Sequence, residues 1–176
     1  MKLLRTIRLD TSDTFVFTRA AEPDEWAVSG AFVFWEQPVE ALIGKERAAF
    51  RSGLLGIGSL GWSTLAVVSE ASAAERAGAV EQLARQLVAR FGAPEIDMAW
   101  AAAEQEIAFA ESLAEPAVGT LVAVHRAAEN GEIRERFRTL LPGSDDMHNR
   151  AFHFEMEDET EAERVDLMSL DRKVAP

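Results

Sequence analysis

Apolar and polar positions along the chain alternate at two periods, and the switches between them mark out the elements. Lys2 to Leu9 is short and rich in Leu and Ile, which predicts a strand. Asp10-Thr11-Ser12-Asp13 is turn chemistry, and Phe15-Val16-Phe17 then continues as strand. After Glu22-Pro23-Asp24, the stretch Trp26 to Trp35 is apolar on both alternating faces, Trp26, Val28, Phe32 and Phe34 against Ala27, Ala31, Val33 and Trp35. That pattern predicts a strand covered on both sides. Pro38 suits a first helical turn, and Val39, Leu42, Ile43 and Phe50 share one stripe, so a helix is expected over 38–51.

Four glycines in Gly53 to Gly61 predict a loop, followed by a strand over Trp62 to Ser69. Ser72-Ala73-Ala74-Glu75 reads as a capping box, in which Ser and Glu satisfy each other's free backbone donors. Val80, Leu83, Ala84, Leu87, Val88 and Phe91 recur at helical spacing behind it, and Gly92 and Pro94 end the run. Glu95 to Leu113 is a second such helix, with Ile96, Trp100, Ala103 and Ile107 inward and Pro116 closing it. Gly119 to Leu140 is expected to be a hairpin turning at Asn130-Gly131, the preferred pair for a tight type I′ turn. Arg150 to Glu157 alternates Phe152, Phe154 and Met156 with His153, Glu155 and Glu157, which predicts a last strand.

The segments Ser12–Phe17, Glu25–Trp35, Gly61–Leu65 and Arg134–Leu140 together resemble a bacterial family of uncharacterised proteins, a domain of unknown function. The resemblance covers roughly residues 1–140. It implies a small stand-alone bacterial protein and assigns no chemistry to any residue.

The chain has 176 residues, 48% of them hydrophobic and 27% charged, which suits one domain with one core. We expect an α+β domain over 1–157, a mainly antiparallel sheet of about six strands with about three helices chiefly on one face. An acidic tail would follow over 158–176. No apolar run reaches the length of a membrane span, and the start carries no apolar leader. Cysteine is absent, which excludes disulfides and thiolate chemistry and suits a cytoplasmic setting. The net charge of −12 disfavours binding to nucleic acid. Residues 141–176, a fifth of the chain, carry half of that excess.

Gly56-Ile57-Gly58-Ser59-Leu60-Gly61 matches G-x-G-x-x-G, but a helix is expected before it and a strand after it. The dinucleotide fingerprint needs the opposite order, so the segment reads as a connector, with Ser59, Trp62 and Ser63 able to rim a pocket. No cofactor is implied. The hairpin carries the sharper signal. With Asn130-Gly131 as a two-residue loop, 127 faces 134, 125 faces 136 and 123 faces 138. Val122, Val124, Ile133 and Phe137 then share the core face, with Arg126 opposite Glu135. His125, Arg134, Arg136 and Arg138 share the other face. Three adjacent guanidiniums repel unless something anionic lies over them. A carboxylate or phosphate ligand could do this. So could His153, Glu155 and Glu157 of the last strand, through cross-strand pairs.

Asp145, Asp146, His148 and His153 have the residue types of a metal site but no standard spacing. No nucleophile elbow, zinc-protease motif or P-loop is present. The acidic run 155–163 reads as a solvated end. Two function classes follow: a non-catalytic accessory or assembly protein acting as a homodimer or through a partner surface, and a binder or enzyme for an anionic metabolite using the arginine face.

Overall fold

Asn130 and Gly131 both take positive φ, 54° and 79°, as a type I′ turn requires. The turn joins strands Leu121–Glu129 and Glu132–Pro142 in the expected register, with Val124 opposite Phe137, His125 opposite Arg136 and Arg126 opposite Glu135. Val124 and Phe137 are buried. The computed structural model describes residues 1–142 and 154–162. Residue 142 and the second stretch enter through backbone and pairing alone.

The strands are β1 (Lys2–Ile7), β2 (Trp26–Val28), β3 (Leu54–Gly56), β4 (Trp62–Ser63), β5 (Leu65–Glu70), β6 (Leu121–Glu129), β7 (Glu132–Pro142) and β8 (Phe154–Ala162). The helices are α1 (Ser12–Val16), α2 (Gly44–Ser52), α3 (Ala73–Phe91) and α4 (Ile96–Leu113), with 3-10 turns at Ala31–Phe34 and Val39–Ala41. All eight strands form one sheet in the order β4-β3-β2-β1-β5-β6-β7-β8, and every pairing in it is antiparallel. The protein is therefore α+β with a mainly antiparallel sheet, as the alternation predicted. The extra strands are short ones: β3 lies in the stretch 53–61 expected to be a loop, and the strand expected over 62–69 is divided into β4 and β5.

The buried apolar residues form two clusters, and α4 contributes to both. Leu4, Ala27, Ala66, Val68, Val122, Val124 and Phe137 pack with Leu113 and Phe109 of α4. Leu3, Val28, Leu55 and Ile57 join α3 and the Ala99, Ala103, Ile107 and Ala110 side of α4. The capping box of α3 is formed: the Glu75 N–H donates to Ser72 Oγ at 3.2 Å, and the Ser72 N–H donates back to the Glu75 carboxylate at 2.8 Å. The Ser72 N–H and hydroxyl hold that carboxyl below its ordinary pKa. Ile96 and Trp100 were expected inward, but they are 49% and 39% exposed. The buried residues of α4 are Ala99, Ala103, Glu106, Ile107, Ala110 and Leu113, so Ala103 and Ile107 lie inward as expected.

Three other expectations are corrected. Phe15 and Val16 lie at the end of helix α1 and not in a strand, because the preceding turn residues start a helix: Asp10 accepts the Ser12 N–H at 2.7 Å, and the Thr14 hydroxyl donates to the Thr11 carbonyl. The strand expected over 26–35 stops at Val28. Gly30 takes φ 79° and a Cβ there would meet Leu55 Cβ at 2.6 Å, so the chain turns and continues as the 3-10 turn. The helix expected over 38–51 is broken at Leu42 and Ile43, which are extended, so α2 begins only at Gly44. Ile43 is 78% exposed.

The least expected feature of the interior is ionic. Arg126 and Glu135 are fully buried and paired, Nε to Oε1 at 2.7 Å. Arg126 Nη1 donates to the carbonyls of Phe50 at 3.0 Å and Gly53 at 2.7 Å, at the C-terminal end of α2. Nη2 donates to the Ser29 carbonyl, and the Ser29 hydroxyl donates to Glu135. A cation is favoured where helix carbonyls lack partners. Arg126→Met should cost about 3–5 kcal/mol in urea unfolding, because it strands a buried carboxylate. Arg126→Met with Glu135→Leu should recover part of that loss but not all, since the Phe50, Gly53 and Ser29 carbonyls lose their donor. A double variant no more stable than the single one would show that the stranded charge is not the cause.

Candidate functional site

Strands β6 and β7 have one buried and one open face. Val122, Val124, Arg126, Glu135 and Phe137 lie inward, while His125, Arg134, Arg136 and Arg138 are exposed side by side on the other. Arg134 Nε pairs with Glu129 Oε2 at 3.1 Å. Beyond β7 lies β8, and the pairing puts Glu161 opposite Arg136 and Glu159 opposite Arg138. Acidic positions of this same chain therefore stand in register beside two of the three arginines. Of the strand expected over 150–157, residues 154–157 stand in β8, which continues to Ala162, and residues 150–153 lie outside the described residues; an irregularity between Arg138 and Thr139 shifts the register. Glu157 and Glu155 instead face Thr139 and Leu141. Asp145, Asp146, His148 and His153, the candidate metal residues, lie outside the described residues. Among the described residues no group of three or more metal-ligating side chains is assembled.

The glycine-rich segment follows α2, as expected, and its G-x-G-x-x-G stretch is the hairpin connection between β3 and β4, so it opens no helix. Its amides hold an internal anion. The Glu25 carboxylate accepts the N–H of Gly58 at 3.2 Å and of Ser59 at 3.0 Å, together with the Ser59 hydroxyl at 3.1 Å. A backbone nest of this kind could hold a phosphate, but here the protein's own carboxylate fills it.

Ser63 is buried, with Oγ 2.7 Å from the Leu65 carbonyl and 3.1 Å from that of Ile7. Nearby, buried Asp13 accepts the Thr64 N–H at 3.2 Å and its hydroxyl at 2.5 Å. Ser59 and Ser63 thus tie loops together, and among the described residues neither is hydrogen-bonded to a histidine.

Trp62 is the sequence-derived candidate that does line a depression. A cleft of about 200 Å³ is formed by Thr18, Arg19, Val33, Phe34, Gln37, Glu46, Ala49 and Trp62. These come from four separate stretches of chain, so no spacing in the sequence announces them. The 3-10 turn Ala31–Phe34 divides its aromatic residues. Phe34 stacks on Trp62 in the cleft, with centroids 5.3 Å apart at 25°, while Phe32 meets Phe91 at 5.3 Å and Trp35 at 6.4 Å on the surface.

The fold and these sites define an α+β protein on an eight-stranded antiparallel sheet. Among its described residues no helix is long and apolar enough to cross a membrane. The model described as "Family of unknown function (DUF6505)" matches residues 1–158, and the chain belongs to that family. The match extends the resemblance seen over 1–140 into β8. No curated protein and no solved structure is detectably similar to the chain.

The register makes the arginine face testable. Arg136→Glu should destabilise the protein by about 1 kcal/mol, more at low salt than at high, since cross-strand charge pairs contribute ~0.2–1 kcal/mol each. The swap Arg136→Glu with Glu161→Arg should restore stability. Urea unfolding with no rescue would show that the two positions do not interact.

Proposed function

We propose that this chain is a non-catalytic accessory or assembly protein that acts through a protein surface, as a homodimer. The observation that carries the reading is the aromatic surface of Phe32, Trp35 and Phe91, in which Phe32 meets both other rings while Trp35 and Phe91 remain 37% and 41% exposed. The last turns of α3 and the first turns of α4 lie at one end of the helical pair. They add Val88, Ile96 and Trp100, each about 40–50% exposed. Aromatic residues at this density are typical of the centre of a protein interface.

A net charge of −12 opposes the approach of two copies unless their contact carries both signs. This end does, with exposed Arg90 on one side of the helical joint and exposed Glu95 and Asp97 on the other. A two-fold axis through the joint would bring Arg90 of each copy towards the acids of its mate. The second reading, an anionic metabolite on the His125, Arg134, Arg136 and Arg138 face, is favoured by the common exposure of those side chains. The acidic positions in register on β8 argue against it.

Light scattering at micromolar concentration should give twice the chain mass of 19.3 kDa. Phe91→Asp, at an exposed helix end, should give a folded monomer with native circular dichroism. A native protein with the mass of one chain would overturn the reading, as would a Phe91→Asp variant that stays dimeric.

A further inference from the structure

The cleft beside Trp62 is separate from the aromatic surface and does not depend on the dimer. Its floor is rigid. A Cβ on Gly30 would come within 3.0 Å of the indole, and one on Gly53 within 2.8 Å, so both glycines admit the ring and hold it in place. Phe34 stacks on that indole and is itself met edge-on by Phe50 at 5.2 Å. An apolar ligand group would find this platform already formed, with little ordering left to do on binding.

The rim carries one charge of each sign. Arg19 is fixed beside the floor by the backbone, since the Trp62 N–H donates to the Arg19 carbonyl at 2.9 Å. Its guanidinium donates to the Ser59 carbonyl at 3.1 Å and keeps further donors on the fork. Glu46 lies in the first turn of α2. Both side chains are exposed, and among the described residues neither is joined in an ion pair to the other or to any third group. The Thr18 hydroxyl and the Gln37 amide complete the polar edge.

We propose that this cleft binds a small zwitterion, an α-amino acid with a compact apolar side chain. Its carboxylate would lie on Arg19, its ammonium group on Glu46 and its side chain on the Phe34–Trp62 platform. The size agrees. About 200 Å³ holds about seven waters at ~30 Å³ each, which is the scale of a ligand with seven to ten heavy atoms. The charges narrow the class further. A fatty acid would leave Glu46 without a cation, and a simple amine would leave Arg19 without an anion. A molecule bearing both charged groups on one carbon, together with an apolar branch, supplies a partner for all three walls.

Calorimetry and thermal shift with L-leucine test this against two analogues, leucinamide, which lacks the carboxylate, and 4-methylpentanoate, which lacks the ammonium group. L-leucine should bind and raise the melting temperature, and each analogue should bind at least about tenfold more weakly. Arg19→Ala should abolish the preference over the amide alone, and Glu46→Gln the preference over the acid alone. Both positions are exposed, so both variants should melt like the native protein without ligand. Absence of any heat or melting shift with L-leucine or L-valine at millimolar concentration would overturn the proposal. Equal binding of all three compounds would overturn it too.

Discussion

A guanidinium with no access to water joins three parts of this fold that are distant in sequence. Arg126 sits on β6, its carboxylate partner on β7, and its remaining donors go to the last carbonyls around α2 and to Ser29 beyond β2. An unpaired charge in that place would be prohibitive, so the hairpin, the helix end and the β2 turn have to arrive together. The short strands β2 to β4 could not hold a register on their own few pairs. Ser29 just after β2 and Gly53 just before β3 are bonded to a residue on the long hairpin, which ties these two strands to it. The directional demands of the guanidinium specify one arrangement where apolar contact alone would accept several.

What the sequence reveals of this follows from how local each signal is. The hairpin turn depends on two adjacent residues that both favour positive φ, and the capping box on four consecutive ones. Both are therefore readable, and both stand in the structure. The pairing of Arg126 with Glu135 follows from the turn by counting. That the pair is buried does not, because burial comes from α2 and Ser29, about 75 and 97 residues away in sequence. The stretch 26–35 misleads for a related reason. Its apolar residues fit a strand equally well, and only the close approach of Gly30 to Leu55 shows that the chain must turn there. In α4 the helical period is legible, but which of its apolar positions find cover depends on where α3 and the sheet end. Ile96 and Trp100 do not find it, and Ala103 and Ile107 do.

The candidate sites divide in the same way. The arginine face is visible in the sequence because it lies on one strand of a predictable hairpin. The glycine-rich segment is visible as a motif, but its meaning is tertiary, since the anion in its amides is Glu25 from another loop. The Trp62 cleft is invisible, since its charged and aromatic walls come from segments that no periodicity connects.

One short element links the two surfaces on which the functional readings rest. Because a 3-10 turn repeats every three residues, consecutive side chains leave it about 120° apart. Ala31–Phe34 can therefore send Phe34 into the cleft while Phe32, two residues earlier, reaches Phe91 at the helical joint. An extended strand would have put Phe32 and Phe34 on the same face, leaving one surface without its aromatic anchor. The break at Gly30 thus has a consequence beyond local geometry. The turn is fixed on one side by Ser29 in the Arg126 network, and its Phe34 stacks on an indole clamped by two glycines. Displacement of the turn by a contact at Phe32 would therefore be felt at Phe34, through two residues of backbone with no slack between them. A partner bound at the aromatic surface and a ligand bound in the cleft would act on the same four residues, and any coupling between them would have to be reciprocal.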